Sequence, residues 1–215
     1  PPSALTSRPD IDFQISSGGL GLWLRSDMDA FSDHRQYLRP DPELRNALRE
    51  RYNSGNATSN LLIGIAWDSK NPKFGWQKSM SLMMLEPLGR VPGISLIDLQ
   101  YGDTDEQRAQ FETKTGIPIL HDPDIDQMAD LDSFAAQVAA MDLVISVSNT
   151  TVHISGALGV PTWVLLNTVP LNCWMLERGD SPWYPSVRLL RQSQAGIWTD
   201  VIEHAATDLA KLNNG

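Results

Sequence analysis

The sequence predicts an α/β domain built on a doubly wound, mostly parallel, Rossmann-like sheet, and three observations predict it. Between residues 61 and 212, apolar runs of strand length alternate with segments of helical spacing. The connections are short, which with this alternation implies parallel strands joined by right-handed crossovers. The runs are also apolar on both faces, as in LLIGIAW at 61–67, the pattern of a sheet covered by helices on both sides. A chain of 215 residues, 41% of them hydrophobic, holds one well-buried domain and a short extension.

Residues 1–40 read as an extended tail, the remnant of a preceding domain. Pro1, Pro2, Pro9, Pro40 and the Gly18-Gly19-Leu20-Gly21 stretch interrupt every periodic pattern there. Residues 20–24 fit a short strand or one turn of helix. The domain proper is expected over 41–215. Asp41 precedes Pro42, Glu43 and Leu44, so cap, proline and early acid mark a helix start. That helix should run to about Tyr52 and end in Asn53-Ser54-Gly55-Asn56. A strand follows at 61–67, then a polar loop, then a helix over 82–90. The next strand is placed at 95–101 and its helix at 105–114. A short strand at 117–120 leads to a helix over 131–141, where Phe134, Val138 and Met141 share one face. Strands at 143–147, 162–166 and 187–191 complete the sheet. Helices at 150–158 and from Trp198 or Thr199 to 212 complete the layers.

A net charge of −9 argues against nucleic acid or an anionic membrane as the main partner, since both reward a basic surface. A small phosphorylated ligand responds to a local field and is not excluded. The single cysteine, Cys173, permits neither an internal disulfide nor a cysteine-based metal cluster. No apolar run is long enough to span a bilayer, and the start, Pro1-Pro2-Ser3, is not a signal segment. A cytoplasmic location is the expectation.

In such a sheet ligands bind beyond the carboxyl ends of the strands, near the point where strand order reverses. The loop Ser146-Val147-Ser148-Asn149-Thr150-Thr151-Val152-His153 brings small polar residues from a buried strand to the first turn of a helix. Free amides there, carrying roughly half an elementary positive charge, suit an anion. Hydroxyls of Thr150 and Thr151 add donors for a diphosphate, and His153 lies one turn further in. Capping by Ser148 or Asn149 and an internally bonded His153 account for the same residues equally well.

After the first strand, Lys70, Lys73 and Lys78 cluster in an acidic chain. Lys78, beside Ser79 at a helix start, is placed to neutralise a phosphate; Lys70 and Lys73 read as solvated. The loop holding Gly102 and Asp103 ends a strand, where an acid can accept from ribose hydroxyls or cap the next helix. Asp132 fits a cap or a first-turn acid. The rings of Trp174, Trp183 and Tyr184 suit a sugar or base platform, a domain interface, or a lid over the sheet edge. No G-x-G-x-x-G follows the first strand, and no Walker lysine motif or G-x-S-x-G elbow occurs. The four histidines, His34, His121, His153 and His204, lack metal-ligand spacing.

LVISVSNTTVHISGALG at 143–159, followed by PTWVLL, resembles the V-D-T-x-x-x-H-x-x-x-A-L-G signature of bacterial heptosyltransferase-like glycosyltransferases. Residues 37–212 are similar to the C-terminal half of the tetratricopeptide-repeat-linked members of that group. GIAWDS at 64–69, QKSMSL at 77–82, LQYGD at 99–103 and SPWYPSVRLLRQ at 181–192 support the likeness. The resemblance implies a GT-B architecture, with this chain as the domain that binds a nucleoside diphosphate sugar. Carried over by position, Asn149, Thr150 and Thr151 hold the diphosphate and Lys78 balances its charge. Gly102, Asp103 and the segment from Met128 to Asp132 flank ribose and base. No metal or other cofactor is expected, and the other domain, with its catalytic base, would be a partner, as would any tetratricopeptide repeats. Ser148 stands where the family commonly has aspartate, which removes one carboxylate contact. An epimerase acting on a nucleotide sugar and a catalytically silent scaffold are the competing expectations.

Overall fold

The computed structural model describes residues 10, 12–16, 19–31, 36–54 and 60–213. The chain divides into two units, Pro1–His34 and Arg35–Gly215. In the first, helix α1 (Gly21–Leu24) is a single turn, and a 3-10 turn follows at Asp29–Phe31. Asp27 accepts from the Ala30 amide at 2.9 Å, and the Arg25 guanidinium lies 5.5 Å from the Phe31 ring centroid.

The second unit opens with α2 (Pro42–Asn53). Asp41 caps it, accepting from Glu43 N at 2.8 Å and Leu44 N at 3.1 Å, with Pro42 where its missing N–H costs nothing. The helix ends at Ser54; Gly55 and Asn56, expected to end it, lie outside the described residues. Strands β1 (Leu61–Ala66), β2 (Ile94–Asp98), β3 (Ile119–Leu120), β4 (Leu143–Val147), β5 (Thr162–Leu166) and β6 (Val187–Arg191) form one sheet in the order β3-β2-β1-β4-β5-β6. Every pairing is parallel. The order reverses between β1 and β4, and that seam is where ligands of doubly wound sheets lie.

The loop after β1 closes in one helical turn, α3 (Gly75–Lys78), which the sequence reading passes over as polar loop. The helix expected over 82–90 is a 3-10 turn at Leu82–Leu85 followed by α4 (Glu86–Gly89). Pro87 explains the break: it has no amide to return to Met83, and the Glu86 amide bonds Met83 O instead. Helix α5 (Asp105–Thr115) ends on the left-handed Gly116, and α6 (Leu131–Ala139) is capped by Asp130. Helix α7 (Thr150–Leu158) is capped by Asn149 and ends on the left-handed Gly159. Helix α8 (Thr199–Asn213) ends the described chain.

Alternate strand residues feed opposite faces. Ile63, Ile65, Leu96, Ile145 and Leu165 pack with Leu85, Leu88, Phe111, Val201, Ile202 and Leu209 from α4, α5, α8 and the 3-10 turn. Leu62, Ile97, Leu99 and Val144 pack with Leu48, Tyr52, Phe134, Val138 and Leu158 from α2, α6 and α7. Each fully buried aliphatic side chain contributes about 1.5–3 kcal/mol. Gly64 allows a close approach, since a Cβ there would lie 2.3 Å from Leu99 Cδ1. Among the described residues no helix is long and apolar enough to cross a membrane.

Candidate functional site

Because β1 and β4 are neighbours (Ala66 beside Ser146), their following loops open side by side at the seam. Asn149 ties them together. Its Oδ1 accepts from Thr151 N at 3.0 Å, capping α7, while its Nδ2 donates to Asp68 O at 3.1 Å across the seam. Gln100, from the loop after β2, completes the tie: its Oε1 accepts from Trp67 N at 3.0 Å and Asp68 N at 2.8 Å. The β1 loop is then folded back on itself. Ser79 Oγ accepts from Ser69 N at 2.9 Å and donates to Asp68 Oδ1 at 2.6 Å. Gly75 fits because it has no side chain; a Cβ there would lie 2.0 Å from Ser69 O.

This folding brings Lys78, at the end of α3, onto the N-terminus of α7. Its ammonium donates to Ser148 O at 2.8 Å and has no carboxylate partner among the described residues. Half-burial pushes the ammonium below its ordinary pKa, an effect the nearby Cys173 opposes. Ser148 is buried, and its Oγ accepts the Trp174 indole N–H at 2.8 Å. The Trp174 ring is 0% exposed and stacks on His153, with centroids 5.2 Å apart and planes 16° from parallel. His153 Nδ1 meets Tyr184 OH at 3.1 Å. Burial first, and then the Lys78 charge, hold the imidazole below its ordinary pKa.

Of the residues singled out by sequence, the structure gathers Lys78, Ser148, Asn149, Thr150, Thr151 and His153 at one end of β4. Thr150 is exposed at the first position of α7 and its side chain has no hydrogen-bond partner among the described residues. Thr151 is fully buried and donates to Leu99 O at 3.4 Å. Ser79, Ser148, Asn149 and Thr151 thus hold the frame, while Lys78 rests half-buried on the Ser148 carbonyl and Thr150 is exposed. Gly102 adopts φ 85°, a conformation that favours glycine, in the loop where Tyr101 OH accepts from Lys70 N at 2.8 Å. Asp103 is exposed and accepts from the Asp105 amide at 3.0 Å. Asp132 is an exposed first-turn acid whose amide donates to the capping Asp130. Among the described residues, no hydrogen bond or ion pair joins Asp103 or Asp132 to Lys78 or Thr150.

Sequence reasoning missed a buried polar cluster beside this frame. Asp98 is 0% exposed and accepts from Thr104 Oγ1 at 2.6 Å and Gln100 N at 2.9 Å, while Arg108, whose Nε donates to Thr104 Oγ1 at 3.1 Å, forms an ion pair with it at 3.2 Å. His121 Nδ1 lies 3.1 Å from the same carboxylate. Burial pushes the Asp98 carboxyl up despite these partners. The readable signal was an aspartate closing a mostly apolar strand, ISLID. No group of three or more His, Cys, Asp or Glu residues able to hold a metal ion occurs among the described residues.

No family model matches the sequence. The curated protein FlbA of Caulobacter vibrioides is 35% identical over 203 residues, covering 92% of this chain and 33% of FlbA, so the chain spans about a third of that relative's length. A glycosyl transferase family 9 protein from Veillonella parvula superposes with a TM-score of 0.59 at 15% identity, over 81% of this chain and 52% of that one. The ADP-heptose lipopolysaccharide heptosyltransferase II of E. coli superposes with a TM-score of 0.56 at 12% identity, over 83% and 54%. The fold is that of the heptosyltransferase-like glycosyltransferases. This chain matches about half of each solved enzyme.

Proposed function

We propose that this chain is the donor-binding domain of a glycosyltransferase, one that transfers a sugar from a nucleoside diphosphate sugar to an acceptor. The observation that carries the reading is the half-buried ammonium of Lys78, fixed to the Ser148 carbonyl at the N-terminus of α7 with no acid paired to it among the described residues. An unpaired cation over a helix N-terminus, beside the free Thr150 hydroxyl, suits a diphosphate. As the leaving diphosphate gains charge, the same ammonium stabilises it more strongly than the bound donor. Gly102 and the exposed Met128 lie in loops suited to ribose and base. The acceptor and the general base would come from a second domain of a longer protein.

Isothermal titration with UDP, ADP and GDP tests the reading. One of them should bind, and Lys78→Ala and Thr150→Ala should each weaken it several-fold. A folded protein that binds none, including in its full-length form, favours the silent scaffold. That reading draws on Ser148, Asn149 and Thr151, whose polar groups are engaged inside the protein.

A further inference from the structure

Between β5 and β6 the chain makes a strap, residues 172–180, that carries Trp174 to the α7 end of the site. The strap does not rest in a relaxed backbone. Met175 stands at φ 53°, ψ −176° and Glu177 at φ 56°, both without the glycine that such angles favour. Such conformations persist only where surrounding contacts impose them, and here one side chain supplies two of those contacts. Arg191, the last residue of β6, donates from Nε to Arg178 O at 3.1 Å and from Nη2 to Trp174 O at 2.8 Å. Its two bonds bracket both left-handed residues. The guanidinium has no carboxylate partner among the described residues, and its Nη1 is buried without a hydrogen bond. In a chain of net charge −9 that is an unusual use of a cation: it is committed to two backbone carbonyls rather than to an acid.

The consequence reaches the site in two steps. Arg191 fixes the backbone of Trp174, and the Trp174 side chain fixes Ser148 through its indole N–H and covers His153 with its ring. The Ser148 carbonyl in turn holds Lys78. We propose that Arg191 is a positioning residue of the donor site, pinning a strained strap so that Trp174 sets the Ser148–Lys78 contact and the enclosure of His153. The donor-site part of this proposal rests on the function proposed above; the pinning does not.

Arg191→Lys keeps the charge and stem but reaches only one carbonyl. Affinity for whichever of UDP, ADP and GDP the wild type binds should fall about five- to tenfold, as for one or two lost hydrogen bonds. The ligand-free protein gives a second readout in the His153 ring titration, followed by NMR. Lys78 and Tyr184 face that ring together with Trp174, and loosening the strap should raise its midpoint toward the ordinary value. Met175→Gly, which relieves the left-handed backbone, should restore part of both effects in the double variant. Arg191→Gln stands in, with the same expectations, if the lysine variant does not fold. An unmoved His153 midpoint overturns the proposal, because an affinity loss alone would mean that Arg191 meets the ligand directly. Failure of the wild type to bind any nucleotide overturns the donor reading instead, and the His153 titration then decides the strap by itself.

Discussion

At the scale of residues, the site separates groups that build the frame from groups left to meet a ligand. Sequence shows that Ser148, Asn149, Thr150, Thr151 and His153 gather at a strand end, because their order along β4 and α7 is local. It does not show which hydroxyls are already engaged. The partner of Ser148 is Trp174, 26 residues away, and that of Thr151 is the Leu99 carbonyl just past β2. Asp98 escaped notice for the same reason, since its partners Arg108 and His121 arrive from α5 and the end of β3. His153 yields a prediction of its own. Its folded pKa lies below the unfolded value of 6.5, so the unfolded chain binds the proton more tightly. The stability that this burial permits is complete above 6.5 and is lost as pH falls from there through the folded pKa. Urea unfolding between about pH 7.5 and pH 5.5 should therefore show a smaller loss of midpoint in His153→Gln than in the wild type. An identical slope in the two proteins would contradict it.

At the scale of elements, sequence and structure agree where boundaries carry sharp chemical marks. Strands β4, β5 and β6 and helix α7 fall where the pattern places them, α7 between the Asn149 cap and the left-handed Gly159. Agreement fails where a local event interrupts a plausible pattern. Pro87 breaks the helix over 82–90, and α3 forms on a glycine that the apolar periodicity does not register. Strand β2 ends three residues early, because Asp98 draws the Gln100 amide to its side chain and Gln100 turns toward β1. Gly64 belongs to this scale, since it sets how closely the β1 backbone approaches Leu99 of the β2 end. Gly64→Ala should destabilise the domain by about 1–3 kcal/mol through overpacking. Chemical denaturation would read this as a lower midpoint with an unchanged slope, and a neutral effect would show that Leu99 and Met141 can give way.

At the scale of the whole molecule, charge and site pull in opposite directions. The chain is strongly acidic, yet the cation of the candidate site pairs with no acid among the described residues. Added salt should stabilise the fold by screening self-repulsion, and weaken nucleotide binding by screening Lys78. Thermal melting and titration across a salt series should give these two opposite trends; parallel trends would mean that the ligand does not depend on Lys78. The doubly wound order was readable from alternation alone, because parallel strands require crossovers and the chain supplies a helix for nearly every one.

The bond from Asn149 Nδ2 to Asp68 O has a mechanical meaning. Strands β3, β2 and β1 form one half of the sheet and β4, β5 and β6 the other, with a single ladder between them. That ladder ends at Ala66 and Ser146, where the loops after the two strands begin. The Asn149 amide acts there like a latch, tying the two loops together past the last rung of the ladder.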